Sequence, residues 1–430
     1  MEMKKYKLGD IIELQRGYDL PHSEMEKGNV PVAGSSGIIG YHSISKINPP
    51  CITIGRSGSV GKLFFYNEAI WPHNTSLYIK NFKKNNEKYI FYLLKTVDFE
   101  RLCDSSVVPS LNRNFVYPIK VPFYDKLSDQ QKIATVLSSL DDKIALNNRI
   151  NAKLEQMAKR LYDYWFVQFD FPRSVSGEPC LHELSRTDDG NARSDFPGID
   201  GKPYKSSGGK MVWNEELKRE IPEGWEVKKI SEILECEIPG DWGEENIKGK
   251  HDYKVSCIRG CDMVDMTDLP TRYILQANAK KLLQADDFVI EISGGSPTQS
   301  TGRIVQVTEE IINRFDNKVI CSNFCHGVRV ANKNYISYFY QMWNIFNDNG
   351  VFFNFEGKTS GLKNFQFDTF VDQKWYFPSD ELAKRFNETV MKVRKEIDKN
   401  ETENKRLSQL RDKLLPLLMN GQVVVEEKSE

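Results

Sequence analysis

The chain has 430 residues, a formal net charge of −1, 40% hydrophobic residues and 28% charged residues. Roughly two to four domains are expected at about 100 to 200 residues per domain, and no apolar run approaches the about 18 residues of a membrane span. No basic and then apolar amino terminus resembles a secretory signal, so we expect a cytoplasmic protein whose eight cysteines are reduced thiols.

Residues 1–126 predict a first mixed α/β domain. Short apolar runs at 51–54, 63–66 and 76–79 lie between Gly, Pro and Asn residues, as is typical of short strands. Residues 88–103 carry helical spacing. The domain holds 17 Lys and Arg against 12 Asp and Glu, a net charge of +5, which suits contact with phosphate.

Residues 127–168 predict a first long helix. Its apolar residues recur at alternating intervals of four and three, the heptad pattern of a coiled coil. They are Ile133, Leu137, Leu140, Ile144, Leu154, Ala158, Leu161 and Trp165. Residues 169–223 are rich in Gly, Pro, Ser and Asp, and this composition predicts a linker or a poorly ordered loop.

Residues 224–379 predict a second mixed domain, residues 380–420 a second long helix, and residues 421–430 a tail. The second helix repeats the pattern of the first, with Arg411 as a charged exception among apolar positions. Those positions are Phe386, Val390, Val393, Ile397, Leu407, Leu414 and Leu418. Residues 222–378 hold 17 basic and 22 acidic residues, a net charge of −5, so charge alone does not favour DNA there.

Two asparagines interrupt each heptad pattern at matching places. They are Asn147 and Asn151 in the first helix, and Asn400 and Asn404 in the second. A buried Asn costs stability but disfavours registers that leave its amide unpaired, so these residues are expected to set the helix register. The alternative is a pair of long amphipathic surface helices, but uncapped helices of this length usually form coiled coils.

The two domains also resemble each other. Gly55, Ser57 and Gly58 follow a strand as Ser293, Gly294 and Gly295 do. Further matches are Gly61-Lys62 with Gly302-Arg303, His73-Asn74 with Ser322-Asn323, and Arg113-Asn114-Phe115 with Lys363-Asn364-Phe365. A domain and a helix, each occurring twice, predict an α+β fold in which two similar mixed α/β domains are separated by an antiparallel coiled coil with pseudo-twofold symmetry. B-DNA has the same dyad symmetry.

Two loops suggest nucleotide chemistry at first sight. Residues 55–63, GRSGSVGKL, fail the phosphate-loop pattern because five residues separate Gly55 from Gly61-Lys62 and Leu63 follows. Asn48-Pro49-Pro50-Cys51 is similar to the N-P-P-aromatic element of amino-methyltransferases, but Cys51 replaces the aromatic ring that stacks on a flipped base. A Pro-rich loop leading into a strand is the favoured interpretation.

A zinc site is a further alternative. Cys257, Cys261, Cys321, Cys325 and His326 supply enough ligands. The C-x-x-x-C spacing is looser than the usual C-x-x-C knuckle, so buried thiols and no metal are favoured.

Three short sequence motifs, together with the order of the domains and helices, resemble the specificity subunit of type I restriction-modification enzymes. The motifs are GKPYKSSGGKMV at 201–212, IPEGW at 221–225 and DQQKIA at 129–134. The family usually has Glu-Gln where this chain has Asp129-Gln130, and residues 173–197 look inserted relative to the family's shorter connection.

The resemblance implies two target-recognition domains, each of which reads one half of a bipartite, asymmetric DNA target. The paired helices are implied to set the gap and to dock two methyltransferase subunits in a host-defence complex. The chain itself would be non-catalytic and bind no cofactor. S-adenosylmethionine would belong to the methyltransferase subunits, and ATP and magnesium to the restriction and translocase subunits.

Motif position assigns candidate DNA-binding residues with donors or acceptors for base edges and phosphates. They are Arg56, Ser57, Lys62, Asn74, Arg113 and Asn114 in the first domain, and Ser293, Arg303, Asn323, Lys363 and Asn364 in the second. Loop residues that cap turns are the alternative for each of them. Two other functions stay open: a stand-alone adenine methyltransferase that uses Asn48-Pro49-Pro50, and a coiled-coil scaffold that binds only proteins.

Overall fold

The computed structural model describes residues 3–102, 110–172, 202–264, 266, 268–294, 298–359 and 362–425. The chain divides into two compact units, of which the first comprises Met1–Leu146 with Asn404–Glu430 and the second comprises Asn147–Glu403. The division falls inside both long helices. Each unit therefore contains one mixed domain and a segment of each helix.

The first domain is built on a main sheet with strand order β2-β8-β5-β6, in which all neighbours are antiparallel. A side sheet has the order β4-β3-β7, and β1 pairs with β9. The elements are β1 (Met3–Lys7), α1 (Leu8–Ile11), β2 (Glu13–Arg16), β3 (Val30–Gly34), β4 (Gly37–His42), β5 (Cys51–Gly55), β6 (Leu63–Tyr66), β7 (Trp71–Pro72), β8 (Ser76–Asn81), α2 (Glu87–Lys95), α3 (Arg113–Val116) and β9 (Lys120–Tyr124).

The core of this domain forms where β5 meets α2. Every residue of β5 is buried, which fits a continuous apolar run at the centre of a sheet. The side chain of Asn86 accepts a hydrogen bond from Tyr89 N at 2.9 Å and caps the start of α2. Tyr89, Ile90 and Leu93 then lie on the buried face of the helix, which closes the core over the sheet.

The second domain repeats these connections. Its main sheet has the order β13-β20-β16-β18 and its side sheet the order β15-β14-β19, while β12 pairs with β23. As in the first domain, one neighbour pair of the side sheet is parallel. An additional sheet, β17-β22-β21, occurs in the second domain.

The bounds of the remaining elements follow chain order. They are α4 (Leu127–Tyr162) with a π-helical turn at Asp163–Val167, β10 (Met211–Asn214), β11 (Arg219–Pro222), β12 (Glu226–Lys229), β13 (Leu234–Pro239), β14 (His251–Ile258), β15 (Thr271–Leu275), β16 (Asp287–Glu291), β17 (Ser293–Gly294), β18 (Ile304–Val307), α5 (Glu309–Asn313), β19 (Lys318–Cys321), β20 (Cys325–Val330), α6 (Ile336–Asp348), β21 (Glu356–Thr359), β22 (Leu362–Phe365), α7 (Phe367–Val371), β23 (Lys374–Phe377) and α8 (Asp380–Met419).

Segments of α4 and α8 contact each other within each unit, and in the second unit they pair in an antiparallel manner. In the second unit, Asn147 Nδ2 donates to Glu403 Oε2 at 2.7 Å, and Asn400 Nδ2 donates to Asn151 Oδ1 at 2.8 Å. Going from Asn147 to Asn151 along α4, the contacted residue in α8 changes from Glu403 to Asn400. The two helices therefore run in opposite directions. The predicted fold class, an α+β protein with two similar domains and two long antiparallel helices, is confirmed.

The described part of the segment at 169–223 is folded against the second domain. Residues 211–222 form the antiparallel hairpin β10-β11. The ring of Phe171 stacks on the rings of Tyr204 and Trp225, with centroids 4.6 and 5.6 Å apart. Composition alone predicted a linker or loop here, because the aromatic residues that anchor the segment are few among its polar ones. The inserted stretch 173–197 lies outside the described residues.

Within the described ranges, no helix combines the length and the apolar character that crossing a membrane requires.

Candidate nucleic-acid interface

The candidate residues of the first domain converge where β5 ends. Arg56 N and Ser57 N both donate to Thr75 O, at 2.8 and 3.2 Å, and Leu111 N donates to Arg56 O at 2.8 Å. Three chain segments, the turn at 55–62, the turn at 73–75 and the stretch at 110–114, are therefore joined by main-chain hydrogen bonds. We call this place the first reading edge.

Cationic side chains extend from the first reading edge. Lys62, Arg113 and Asn114 are exposed, whereas Arg56 is half-buried. Arg56 Nη1 lies 3.5 Å from Asn74 O. Guanidinium and ammonium groups donate well to phosphate oxygens and to guanine, so the first reading edge is suited to DNA.

Two other candidates at this edge are also engaged within the protein. Asn74 Nδ2 donates to the carboxylate of Asp19. Arg113 Nη1 donates to Leu14 O at 3.3 Å from the start of α3. The amide of Asn74 therefore serves the fold, at least in part.

The second domain repeats the framework with other side chains. Ile292 N and Ser293 N both donate to Phe324 O, at 2.9 and 3.1 Å, and Phe365 N donates to Ile292 O at 2.7 Å. Ser293 thus corresponds to Ser57, and Phe324 to Thr75. We call the surface at 292–293, 323–324 and 363–365 the second reading edge.

The match of Gly61-Lys62 with Gly302-Arg303 holds in the backbone. Gly61 N donates to Gly55 O at 2.8 Å, and Gly302 N donates to Glu291 O at 2.9 Å. Both glycines have positive φ, 76° and 91°, a conformation that favours glycine. The shared turn places Lys62 and Arg303 at equivalent positions.

The predicted match of 113–115 with 363–365 is wrong by four residues. Leu111 and Phe365 make equivalent hydrogen bonds, to Arg56 O and to Ile292 O. Arg113 therefore corresponds to Phe367, the first residue of α7, whereas Lys363 lies on strand β22. A basic residue followed by Asn and Phe occurs in both segments, but the buried Leu111 and Phe365 determine the structural alignment.

Arg303 is engaged in a half-buried ion pair. Its Nε and Nη2 lie 2.8 and 2.7 Å from the carboxylate oxygens of Glu291, and Nη2 also donates to Gly260 O at 2.9 Å. The side chains are 21% and 5% exposed, and the hydrogen bonds to Glu291 raise the pKa of Arg303. Gly55 occupies the position of Glu291 in the first domain, so the two equivalent cations lie in different environments.

The remaining candidates of the second reading edge lie on or beside β17 and β22. Ser293 Oγ hydrogen-bonds to the Asn364 side chain, and Lys363 Nζ lies 2.9 Å from Glu356 Oε2. Burial alone would raise the pKa of Glu356, but hydrogen bonds from Lys363 and Thr301 outweigh it and hold that pKa below its usual value. The Lys363 charge is thus partly neutralised.

Phe324 is a surface residue of the second reading edge that was not predicted from the sequence. Its side chain is 46% exposed and directly follows the exposed Asn323. The sequence alignment of the two domains could have indicated this position, because Thr75 follows Asn74 as Phe324 follows Asn323. Aromatic residues are usually assigned to a core, and only the structure shows that this ring lies on the surface.

The loop at 48–51 leads directly into the main sheet. Asn48 and Pro50 are exposed, whereas Cys51 begins β5 and its Sγ donates to Asn48 O at 3.0 Å. Burial raises the pKa of the Cys51 thiol to about 11. The motif is therefore a loop before a buried strand, as its Pro-rich interpretation predicted.

The cysteines considered for zinc lie mainly inside the second domain. Cys257, Cys321 and Cys325 are buried, while Cys261 is exposed. Burial raises the pKa of Cys257 to about 12 and that of Cys325 to about 11, which favours the protonated thiol over the thiolate that binds metal. In the part of the chain that the structure describes, no group of three or more His, Cys, Asp or Glu is placed to hold a metal ion.

Of the four asparagines predicted to set the register, Asn147, Asn151 and Asn400 contact the facing helix. Asn147 is fully buried and Asn151 is 8% exposed, while Asn400 and Asn404 are half-buried. Asn151 pairs with Asn400, whereas Asn147 bonds to Glu403. Their role in choosing the register stays a prediction.

A duplicated mixed domain together with two long helices is the class of architecture that this geometry defines, and several known proteins are similar to this chain. Residues 1–156 match the family model of the type I restriction modification DNA specificity domain. The MjaIX type I restriction enzyme specificity subunit of Methanocaldococcus jannaschii is 25% identical over 354 residues, covering 79% of this chain and 70% of that protein.

A second relative and one solved structure are also similar to this chain. The HindI type I restriction enzyme specificity subunit of Haemophilus influenzae is 24% identical over 371 residues, covering 78% of this chain and 77% of that protein. The crystal structure of the type I restriction-modification S subunit from M. genitalium shares the fold, with a TM-score of 0.58, 14% identity, and coverage of 97% and 96%. The resemblance of this chain to type I specificity subunits is confirmed.

Proposed function

We propose that this chain is the DNA sequence-recognition subunit of a type I restriction-modification complex, and that each domain reads one half of an asymmetric, bipartite target. The observation that carries the proposal is the shared main-chain framework at Thr75 and Phe324, which presents different side chains in the two domains. One scaffold that carries two sets of side chains is suited to reading two different sequences.

The long helices set the gap between the half-sites and dock the methyltransferase subunits. Helix α4 alone has 36 residues, about 54 Å at ~1.5 Å per residue. Polar pairs such as Asn151 with Asn400 support a defined register, because a slipped pair leaves buried amides unsatisfied.

The chain performs no chemistry of its own in this proposal. Two methyltransferase subunits hold S-adenosylmethionine, and restriction and translocase subunits use ATP and magnesium, all in the cytoplasm. Cys51 supports this division, because a buried thiol stands where an amino-methyltransferase has an exposed ring that stacks on the flipped base.

The direct test is methylome sequencing of a host that expresses the chain together with its methyltransferase subunits. We expect adenine methylation within one asymmetric, bipartite motif, which is absent when this chain is omitted. Exchange of residues 1–126 for the equivalent domain of a relative should change one half of the motif. A change in both halves would contradict the assignment of one half-site to each domain.

Two experiments separate the other candidate functions. Titration of the purified chain with S-adenosylmethionine should release no heat, whereas a stand-alone methyltransferase would bind the cofactor. A DNA mobility-shift assay with the methyltransferase subunits present should show a specific complex. A scaffold that binds only proteins would give none.

A further inference from the structure

Phe324 lies at a fixed point of the second reading edge. Its carbonyl oxygen accepts hydrogen bonds from Ile292 N and Ser293 N, and Cys325 N donates to Ser322 O at 2.9 Å across the same tight turn. The ring nevertheless remains 46% exposed. An apolar ring on a well-anchored turn is a suitable contact group, because little backbone order must be gained on binding.

The two reading edges carry different side chains at three equivalent positions. Arg56 in the first domain corresponds to Ile292, and Thr75 corresponds to Phe324. Lys62, which is exposed, corresponds to Arg303, whose guanidinium is held by Glu291. The first edge therefore offers cations, whereas the second offers an exposed amide, Asn323, beside an exposed phenyl ring.

These side chains have different partners in the major groove. Arg and Lys pair with the O6 and N7 acceptors of guanine, whereas Asn pairs with N6 and N7 of adenine and apolar groups contact the C5-methyl of thymine. Neighbouring Cα atoms are about 3.8 Å apart, close to the ~3.4 Å step of B-DNA. Asn323 and Phe324 thus suit one base pair or two adjacent ones.

We infer that the second domain reads an A·T base pair, with Asn323 on the adenine edge and Phe324 against the thymine C5-methyl group. This inference rests on the proposed function and adds the base class of one half-site. It also accounts for a specificity domain with a net charge of −5 over residues 222–378, because amide and apolar contacts select bases without a local excess of cations.

The test removes the methyl group from the DNA and the ring from the protein. Once the motif is known, exchange of residues 224–379 identifies the half-site of the second domain. Each thymine in that half-site is then replaced singly by deoxyuridine, which lacks only the C5-methyl. For one such position, the assembled methyltransferase complex should bind about fourfold more weakly, the value of one buried methyl group.

The variant Phe324→Ala should bind the thymine and deoxyuridine targets within twofold of each other. The matched control is Trp213→Ala, which removes a 54% exposed aromatic residue from hairpin β10-β11 and should keep the fourfold preference. Equal thermal unfolding midpoints would show that both variants fold.

The inference would be overturned by a second half-site without an A·T pair, by a parent complex indifferent to every deoxyuridine, or by a Phe324→Ala complex that keeps the full preference. Loss of affinity by Phe324→Ala for all sequences, with reduced DNA bending, would make the ring an intercalating wedge and also overturn it. Failure of the proposed function is distinguishable, because no motif that depends on this chain would then be found.

Discussion

In the first unit, Arg411 Nη1 lies 2.6 Å from Asp141 Oδ1, and the other oxygen of the same carboxylate accepts a hydrogen bond from Tyr92 OH at 2.6 Å. This contact explains the charged residue in the heptad pattern of α8. It also ties α2 of the first domain to the helix pair, since Asp141 lies on α4.

Asp141→Ala should therefore destabilise the chain. Arg411 and Tyr92 would lose a shared acceptor in a site where the Arg411 and Asp141 side chains are only 22% and 29% exposed. We expect a loss of about 2 kcal/mol in the free energy of unfolding, measured by urea titration of the full chain. The double variant Asp141→Leu with Arg411→Leu should recover most of this loss, because no half-buried charge is left unpaired and the other partner of Arg411, Asp412, is exposed to solvent. A double variant as unstable as Asp141→Ala would contradict the explanation.

The pair Asn151 and Asn400 makes a separate prediction. Replacing both by Leu removes a direct amide pair, with its 2.8 Å hydrogen bond, and extends the apolar seam. Thermal unfolding should occur at an equal or higher temperature, while methylome sequencing should detect targets with altered gaps. If the parent gap is kept without exception, these amides do not choose the register. Asn148→Leu, at an exposed position of α4, is the control.

Equivalent positions 62 and 303 should respond differently to truncation. Lys62→Ala should leave stability unchanged and lower the salt dependence of DNA binding by about one counterion, since Lys62 is exposed. Arg303→Ala should instead lower the free energy of unfolding by about 3 kcal/mol, because the buried Glu291 carboxylate loses its partner. Urea titration and binding at several salt concentrations measure both effects. If Lys62→Ala and Arg303→Ala changed stability and salt dependence by similar amounts, the two side chains would not differ in environment as described.

The sequence predicted the duplicated plan because glycines and buried apolar runs are local signals. Gly61 and Gly302 were aligned correctly, since both turns require positive φ. The partners of polar side chains are not local signals. Glu291 lies 12 residues before Arg303 in the sequence, and Glu403 lies 256 residues after Asn147. Nothing in either pattern indicates these contacts, and for the same reason the exposure of Phe324 emerged only from the fold.

The ion pair of Lys363 and Glu356 predicts a pH dependence. The pKa of Glu356 in the folded chain lies below its usual value of 4.5. A lowered folded-state pKa contributes stability above the usual pKa, and this contribution is lost as the pH falls through the folded-state pKa. Glu356→Gln should thus unfold at a lower temperature than the parent at pH 7. The difference should shrink below about pH 4.5. Glu388→Gln, at an exposed position of α8, should show no such pattern, and a constant difference for Glu356→Gln would argue against the ion pair.

The spacing between half-sites should be adjustable through the helices. Insertion of one heptad between Ile144 and Asn147 of α4, matched by one between Glu403 and Leu407 of α8, keeps the seam in phase. Seven residues add about 10 Å at ~1.5 Å each, or about three base pairs at ~3.4 Å. We expect methylome sequencing to show a gap longer by two to three base pairs with both half-site sequences unaltered. A heptad inserted into α4 alone is the control, and it should reduce stability because the contacts of Asn147 with Glu403 and of Asp141 with Arg411 can no longer both form. An unchanged gap in the matched variant would show that the helices do not set the distance between the half-sites. A change in the half-site sequences would show that the helices take part in base recognition.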